Sequence, residues 1–295
     1  MRGRRERGAT GALIAVILVL IMAGFLATSL AGRVTSENDQ NNQTLRKLAI
    51  GADALEQYAA INARLPCPAN PTLNTGVEVT ATAATCSFPT GSIPWSTLGM
   101  RYDDAFDAWG RKISYRVYTG DATHGSLTQP DGVSMVRCDT DETVAAGDAT
   151  PASNGLGGLC VPYPDDPDLK LRTTIPGSFL GPNGFLAGKG LSLNDFGVNH
   201  PDVAFVLISY GATGLGAYTV SGVRLPLPPN GSPPPSGDGD EYKNAQSTST
   251  FAARAFSGPY DQANESIHFD DLLSYRTLPD LVRRANLSAR VWPET

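Results

Sequence analysis

Residues 12–32, ALIAVILVLIMAGFLATSLAG, run for twenty-one positions without a charge, and the reading of this stretch decides the fold. An α-helix rises about 1.5 Å per residue, so roughly 20 apolar residues match a hydrocarbon core of about 30 Å with every backbone polar group satisfied inside the helix. The leader MRGRRERG places Arg2, Arg4, Arg5 and Arg7 before it, and positive flanks resist translocation. The expected topology is a cytoplasmic N-terminus, a single pass over 12–32, and an exported remainder.

Downstream the helix has no reason to stop. Thr35 to Thr44 is polar but contains neither Gly nor Pro, and Leu45, Leu48, Ala49, Ala52, Leu55, Tyr58, Ala59 and Asn62 then recur at three- and four-residue steps. That spacing predicts one mainly apolar face, with Arg46, Lys47, Asp53, Glu56 and Gln57 on the other side. A helix over Thr10 to Ala63 would be about 80 Å long. Gly24 and Gly32 are its weakest points, each costing up to about 1 kcal/mol against alanine. Arg64-Leu65-Pro66-Cys67-Pro68 ends it, because proline lacks a donor and restricts the residue before it.

Two other readings of 12–32 stay open. Ser29-Leu30-Ala31 is a small-residue site at which a signal peptidase would cut before Gly32, and an uncleaved anchor needs no processing at all. The length of the apolar run, beyond the usual ~7–15 residues of a signal core, favours a retained helix.

The remainder has the composition of an exported globular head. Hydrophobic residues make up 41% of the 295 positions, enough for a substantial core. The net charge is −6, and loss of residues 1–8, with four arginines and one glutamate, takes it to −9. Such an acidic chain without a basic patch is not expected to bind nucleic acid. Cys67, Cys86, Cys138 and Cys160 all follow the membrane segment, where an oxidising compartment favours disulfides. Of the three possible pairings, Cys67–Cys86 with Cys138–Cys160 staples two Gly/Pro/Thr-rich loops, each closure contributing about 3 kcal/mol. A zinc site would need close Cys-x-x-Cys spacings, which the sequence lacks.

Strands are expected at Ile113–Tyr118, Val133–Cys138, Val203–Ser209 and Ala217–Leu225. The uninterrupted apolar run Val203–Ile208 suits a central strand buried on both faces and packed beneath the C-terminal half of the long helix. The expected class is therefore α+β: a long N-terminal helix, part transmembrane and part amphipathic, packed on an antiparallel sheet in a loop-rich, disulfide-stapled head. By residue number, this gives a basic leader 1–8, a long helix 9–63 and a head 64–295. The head carries a Gly/Pro/Asp-rich insertion at 139–199 and a Pro/Gly loop at 225–240. Asp271–Tyr275 and Leu278–Val282 are expected to form one or two short helices.

No enzyme chemistry is expected. There is no Gly-x-Ser-x-Gly elbow, His124, His200 and His268 are scattered, and Gly155-Leu156-Gly157-Gly158 lacks the strand and helix start of a dinucleotide fingerprint. Asp238, Asp240 and Glu241 are a candidate calcium site, and Asp139, Asp141 and Glu142 a second, because calcium takes several flexible oxygen ligands; a solvated acidic turn has the same pattern.

A basic leader ending in glycine, an apolar helix passing into an amphipathic one, and Tyr58-Ala59-Ala60-Ile61-Asn62-Ala63-Arg64-Leu65-Pro66-Cys67-Pro68 together resemble the type IV pilin and type II secretion pseudopilin superfamily. Asp107-Ala108-Trp109-Gly110 through Tyr115 is similar to the pseudopilin D-x-W-G…Y stretch. Ile93–Gly99, Val206–Gly214 and Asp270–Ser274 resemble further prepilin-like phrases. The resemblance implies cleavage after Gly8 by a prepilin peptidase, methylation of Ala9, and a single-pass subunit of the bacterial inner membrane with a periplasmic head. Its partners would be other pilin-like subunits, met through the N-terminal helix, where Gly11, Ala12, Ala15, Ala23, Gly24, Ala27 and Ala31 allow close approach. Members of the family usually begin with phenylalanine or methionine and carry glutamate fifth; this chain has Ala9 and Leu13. A buried charge in lipid needs a partner, so its absence points away from a bulk filament subunit and toward a minor, tip or priming one. The alternative is a signal-peptide-bearing periplasmic or secreted binding or adhesion protein.

Overall fold

Much of the stripe predicted on residues 45–62 becomes a buried helix face. A computed structural model of the chain describes residues 37–82, 85–120, 126–129, 132–133, 190–227, 239–257 and 268–285. Thr44–Thr295 forms one compact unit, and the described part of the other, Met1–Gln43, is helical from residue 37. Among the described residues no helix is long and apolar enough to cross a membrane. The stretch 12–32, Gly8 and Ala9 lie outside them, as do Cys138, Cys160, Asp238, Asp139, Asp141, Glu142 and His124.

Helix α1 covers 37–62 and buries Thr44, Leu48, Gly51, Ala52, Leu55, Glu56 and Ala59. The expected stripe is thus corrected at its edges: Leu45 and Ala49 are exposed, while Glu56, assigned to the polar face, is buried. Its carboxylate accepts from Arg276 Nε on the far side of the chain, with Asp53 and Arg284 nearby, so a charge partner and not hydropathy sets that face. Gly51 marks the closest approach to the sheet. A Cβ there would stand 2.8 Å from Ile93 Cδ1 and 3.0 Å from Leu207 Cδ1. The helix ends where Ala63 turns to φ 53° ahead of Pro66.

The sheet is built around a twelve-residue strand, β7 (Val198–Ser209), whose Val203–Ile208 segment is fully buried as expected. The strands β1 (Thr80–Thr82) and β2 (Thr85–Cys86) form a separate antiparallel pair, and β4 (Arg111–Lys112) pairs with β8 (Tyr218–Thr219). Strand β3 (Thr90–Ser92) pairs with β5 (Ser114–Val117), and β5 with β7 over Phe205–Ile208. On its other side β7 pairs with β10 (Leu272–Thr277) over Val203–Ser209. The strand β6 (Leu191–Asp195) runs antiparallel to β7 and parallel to β9 (Thr250–Ala253), the one parallel pair among the described residues of a sheet otherwise antiparallel. Two short helices follow, α2 (Asp240–Gln246) and α3 (Leu278–Arg284).

Three expectations change. Leu272–Tyr275, expected as helix, is strand, because Leu272–Thr277 pairs along β7; the helix begins only at Leu278, where Thr277 Oγ1 accepts from Asp280 N at 3.2 Å. The C-terminal end of the 139–199 insertion is β6, joined to β7 by Phe196 and Gly197, both at positive φ, the geometry of a two-residue hairpin. Ala217–Leu225 folds back on itself at Gly222 (φ 82°), pairing Tyr218 with Arg224, instead of extending as one strand. Of the Val133–Cys138 strand, only Val133 is described, in a turn.

Cys67 and Cys86 form a disulfide with Cα atoms 5.3 Å apart, as expected. Inside the loop it closes, Glu78 gathers Arg64 Nη1 (2.9 Å) and Nη2 (2.7 Å), the Cys67 amide (2.9 Å) and the Tyr58 hydroxyl (3.3 Å). Burial pushes the Glu78 carboxyl up, but the bonds from Arg64 and Cys67 outweigh it and hold the group below its ordinary value.

Candidate functional site

The Asp-x-Trp-Gly segment is a structural clasp. Asp107 Oδ1 accepts from the amides of Trp109 (3.0 Å) and Arg111 (2.8 Å), while Oδ2 accepts from Ser209 Oγ at the end of β7 (2.8 Å). Gly110 supplies the required positive φ of 76°, and Ala108 N donates to Thr44 Oγ1 on α1 (3.0 Å). Burial raises the Asp107 carboxyl despite these donors. Arg111 lies 3.9 Å from it and donates to Ala212 O, and a Cβ on Gly214 would overlap that guanidinium.

A second cluster forms where α2 meets the chain entering β10. Glu241 Oε1 accepts from the amide of Asp270 (2.8 Å), and His268 Nε2 stands 3.7 Å from both Glu241 Oε1 and Asp270 Oδ2. Asp270 is held by Thr213, whose amide (2.7 Å) and hydroxyl (3.0 Å) donate to it. Gly211 beside it must be glycine, since its φ is 51° and a Cβ would overlap Asp270. Behind them Asn244 is fully satisfied: its amide nitrogen donates to Asp271 Oδ2 and Ala252 O, both at 2.9 Å, and its oxygen accepts from Ala252 N (2.9 Å), clamping α2 to β9.

Three acidic side chains so close in a buried place cannot all ionise at ordinary pH. Burial first, then the neighbouring Asp270, pushes the Glu241 carboxyl up to about 8, and Asp271 is raised well above its usual range by burial and by Glu241. One answer to the crowding is a shared proton. The other is a divalent ion, because Glu241, His268 and Asp270 offer ligand atoms within 4.8 Å of one another. One imidazole with two carboxylates suits a transition ion such as zinc, whereas calcium takes six to eight oxygens. Glu241, Asp270 and His268 are 4%, 5% and 7% exposed, so the cluster faces the interior and presents no surface to a substrate.

The structure separates the two described members of the candidate calcium set Asp238, Asp240 and Glu241. Asp240 turns to Lys243 Nζ and Arg254 Nε, both at 3.4 Å, while the adjacent Glu241 turns inward to His268 and Asp270. The sequence reading missed the role of His268 and Asp270; the alternation His268-Phe269-Asp270 before a strand is the signal that places both on one face. His200 lies elsewhere, its ring 5.5 Å from Tyr275 on the sheet.

A third feature is a cavity of about 360 Å³ beside β3 and β5, lined among others by Asn70, Thr90, Ser114, Arg116, Tyr218 and Arg224. Arg116 and Thr90 are directly paired across the strands, which puts both side chains on one face with Ser114. No protein-family model, no curated protein and no solved structure matches the chain.

Proposed function

We propose that this chain is a non-catalytic, pilin-like structural subunit. In this reading it is a minor, tip or priming component of a type IV pilus or type II secretion pseudopilus, anchored in a bacterial inner membrane by residues 12–32 with the head in the periplasm. The observation that supports the reading is a helix face packed on the sheet, with an uncharged run lying upstream of it in the sequence. Residues 44–62 bury a stripe against an antiparallel-rich sheet, and the same chain leads upstream, without Gly or Pro between Thr35 and Thr44, into twenty-one uncharged residues. A head docked on the lower half of its own anchor helix leaves the upper half to pack among neighbours in lipid. The clasp at Asp107 and the disulfide-closed loop fix the head on that helix.

The test is a Gly24→Leu, Ala27→Leu double variant in the native host, with chemical cross-linking to other single-pass subunits as the readout. The reading expects the cross-linked adducts to be lost while the variant still reaches the membrane; adducts at the normal level contradict it. A second reading, an exported binding protein cut before Gly32, is favoured by the arginine-lined cavity beside β5.

A further inference from the structure

Among the described arginines most have a carboxylate close by: Arg64 meets Glu78, Arg111 meets Asp107, Arg254 meets Asp240 and Arg276 meets Glu56. Arg116 and Arg224 have none, and both line the same cavity of about 360 Å³, whose lining among the described residues includes no acidic one. Arg116 is 6% exposed. Its Nη1 donates to Gly91 O (3.4 Å) and Tyr115 O (3.3 Å) and its Nη2 to the Tyr210 hydroxyl (3.2 Å), all neutral acceptors at the long end of hydrogen-bond range, and its Nε has no partner. Arg224 donates to Ala245 O (2.8 Å) and Gly216 O (3.4 Å), with its guanidinium over the Tyr218 ring at 5.7 Å.

Burying a cation without a counter-charge costs several kcal/mol unless something anionic completes the site. In a chain of net charge −6, a cavity lined by two guanidinium groups and, among the described residues, no carboxylate is a local reversal of sign. We propose that this cavity binds a small polyhydroxylated carboxylate, in chemical terms a uronic acid. The planar guanidinium fork matches a carboxylate. Thr90, Ser114 and Asn70 supply hydroxyl and amide groups for sugar hydroxyls, and the Phe88 ring at the rim, 41% exposed, offers an apolar face for a pyranose. The volume lies at the lower end of the ~300–1,000 Å³ range of small-ligand sites, which limits the occupant to a short saccharide or a chain end.

The test is isothermal titration of the full-length protein in mild detergent at low ionic strength, with D-galacturonate, neutral D-galactose and sodium sulfate as probes. Galacturonate is expected to bind at least about tenfold more tightly than either control, with affinity falling as salt rises. Arg224→Gln, at an exposed position, is expected to weaken galacturonate about tenfold or more while the unfolding midpoint stays put. Phe88→Ala provides a second variant remote from the buried guanidinium, expected to weaken galacturonate and leave sulfate unchanged. Galacturonate binding no tighter than galactose, or unaffected by Arg224→Gln, overturns the proposal. Sulfate binding as tightly as galacturonate overturns the saccharide assignment and leaves a simple oxyanion site. None of these outcomes depends on how the N-terminus is processed, so failure here and failure of the structural-subunit reading are separate results.

Discussion

Replacing Glu241 by glutamine is expected to change the pH dependence of stability far more than the fold. In the native protein burial, with Asp270 beside it, pushes the Glu241 carboxyl from an ordinary 4.5 up to about 8. A carboxyl whose folded value is raised holds its proton more tightly when folded. Its contribution to stability is complete below pH ~4.5, erodes at about 1.4 kcal/mol per pH unit above it, and is exhausted once the folded group ionises near pH 8. The 3.5-unit interval sets a ceiling of about 5 kcal/mol. Glu241 faces Asp270, Asp271, His268 and Arg254, and these neighbouring charges broaden its titration, so a loss of roughly half that ceiling is expected between pH 5 and 8. For a chain of this size that corresponds to a fall of about 5–10 °C in Tm. Glu241→Gln keeps an oxygen for the Asp270 amide and an NH2 to donate to its carboxylate, mimicking the protonated acid. Thermal unfolding at pH 5, 6.5 and 8, followed by tryptophan fluorescence, should give a variant within about 1 kcal/mol of the native protein at pH 5 and distinctly more stable at pH 8. Parallel curves for the two proteins would refute the burial of an acid proton at this position.

Other outcomes follow from the packing. Leu55→Ala empties a fully buried site on the α1 face and should cost about 2–5 kcal/mol in urea unfolding. Gly51→Leu, which forces a side chain into the space already held by Ile93 and Leu207, should cost more than any helix-propensity gain of about 1 kcal/mol returns, read as a lower Tm. Replacing Cys67 and Cys86 together by serine opens a closure of 19 residues and should lower stability by about 3 kcal/mol, measured against the native protein under oxidising conditions. Glu78 acts opposite to Glu241: its lowered carboxyl contributes stability above its unfolded value and loses it as pH falls through the folded one, so Glu78→Gln should flatten the acid limb of the Tm profile below pH ~4.5.

Local patterns made α1, β7 and the Cys67–Cys86 loop legible, because each is written in neighbouring residues: a 3.6-residue stripe, an unbroken apolar run, and a loop with too little apolar content to hold itself. Long-range pairing was not legible. Glu56 reads as a solvent-side residue until Arg276, 220 positions away, is seen to meet it. Leu272-Leu273 followed by Leu278 and Leu281 has helix-like spacing, and only the partner β7 reveals that its first half pairs as a strand. The Phe196-Gly197 hairpin was hidden by the polar residues around it. The Glu241, His268 and Asp270 cluster joins a helix to a segment 27 or more positions on, and no spacing rule links them. Arg116 carries no motif at all; its lack of a carboxylate is visible only once the strands that surround it are paired.

The central claim, that residues 12–32 persist as an anchor helix in a pilin-like subunit, meets its most direct test in N-terminal peptide mass spectrometry of protein purified from its native membrane. The account predicts a mature chain beginning at N-methylated Ala9. A chain beginning at Gly32, or one that retains Met1, would contradict it.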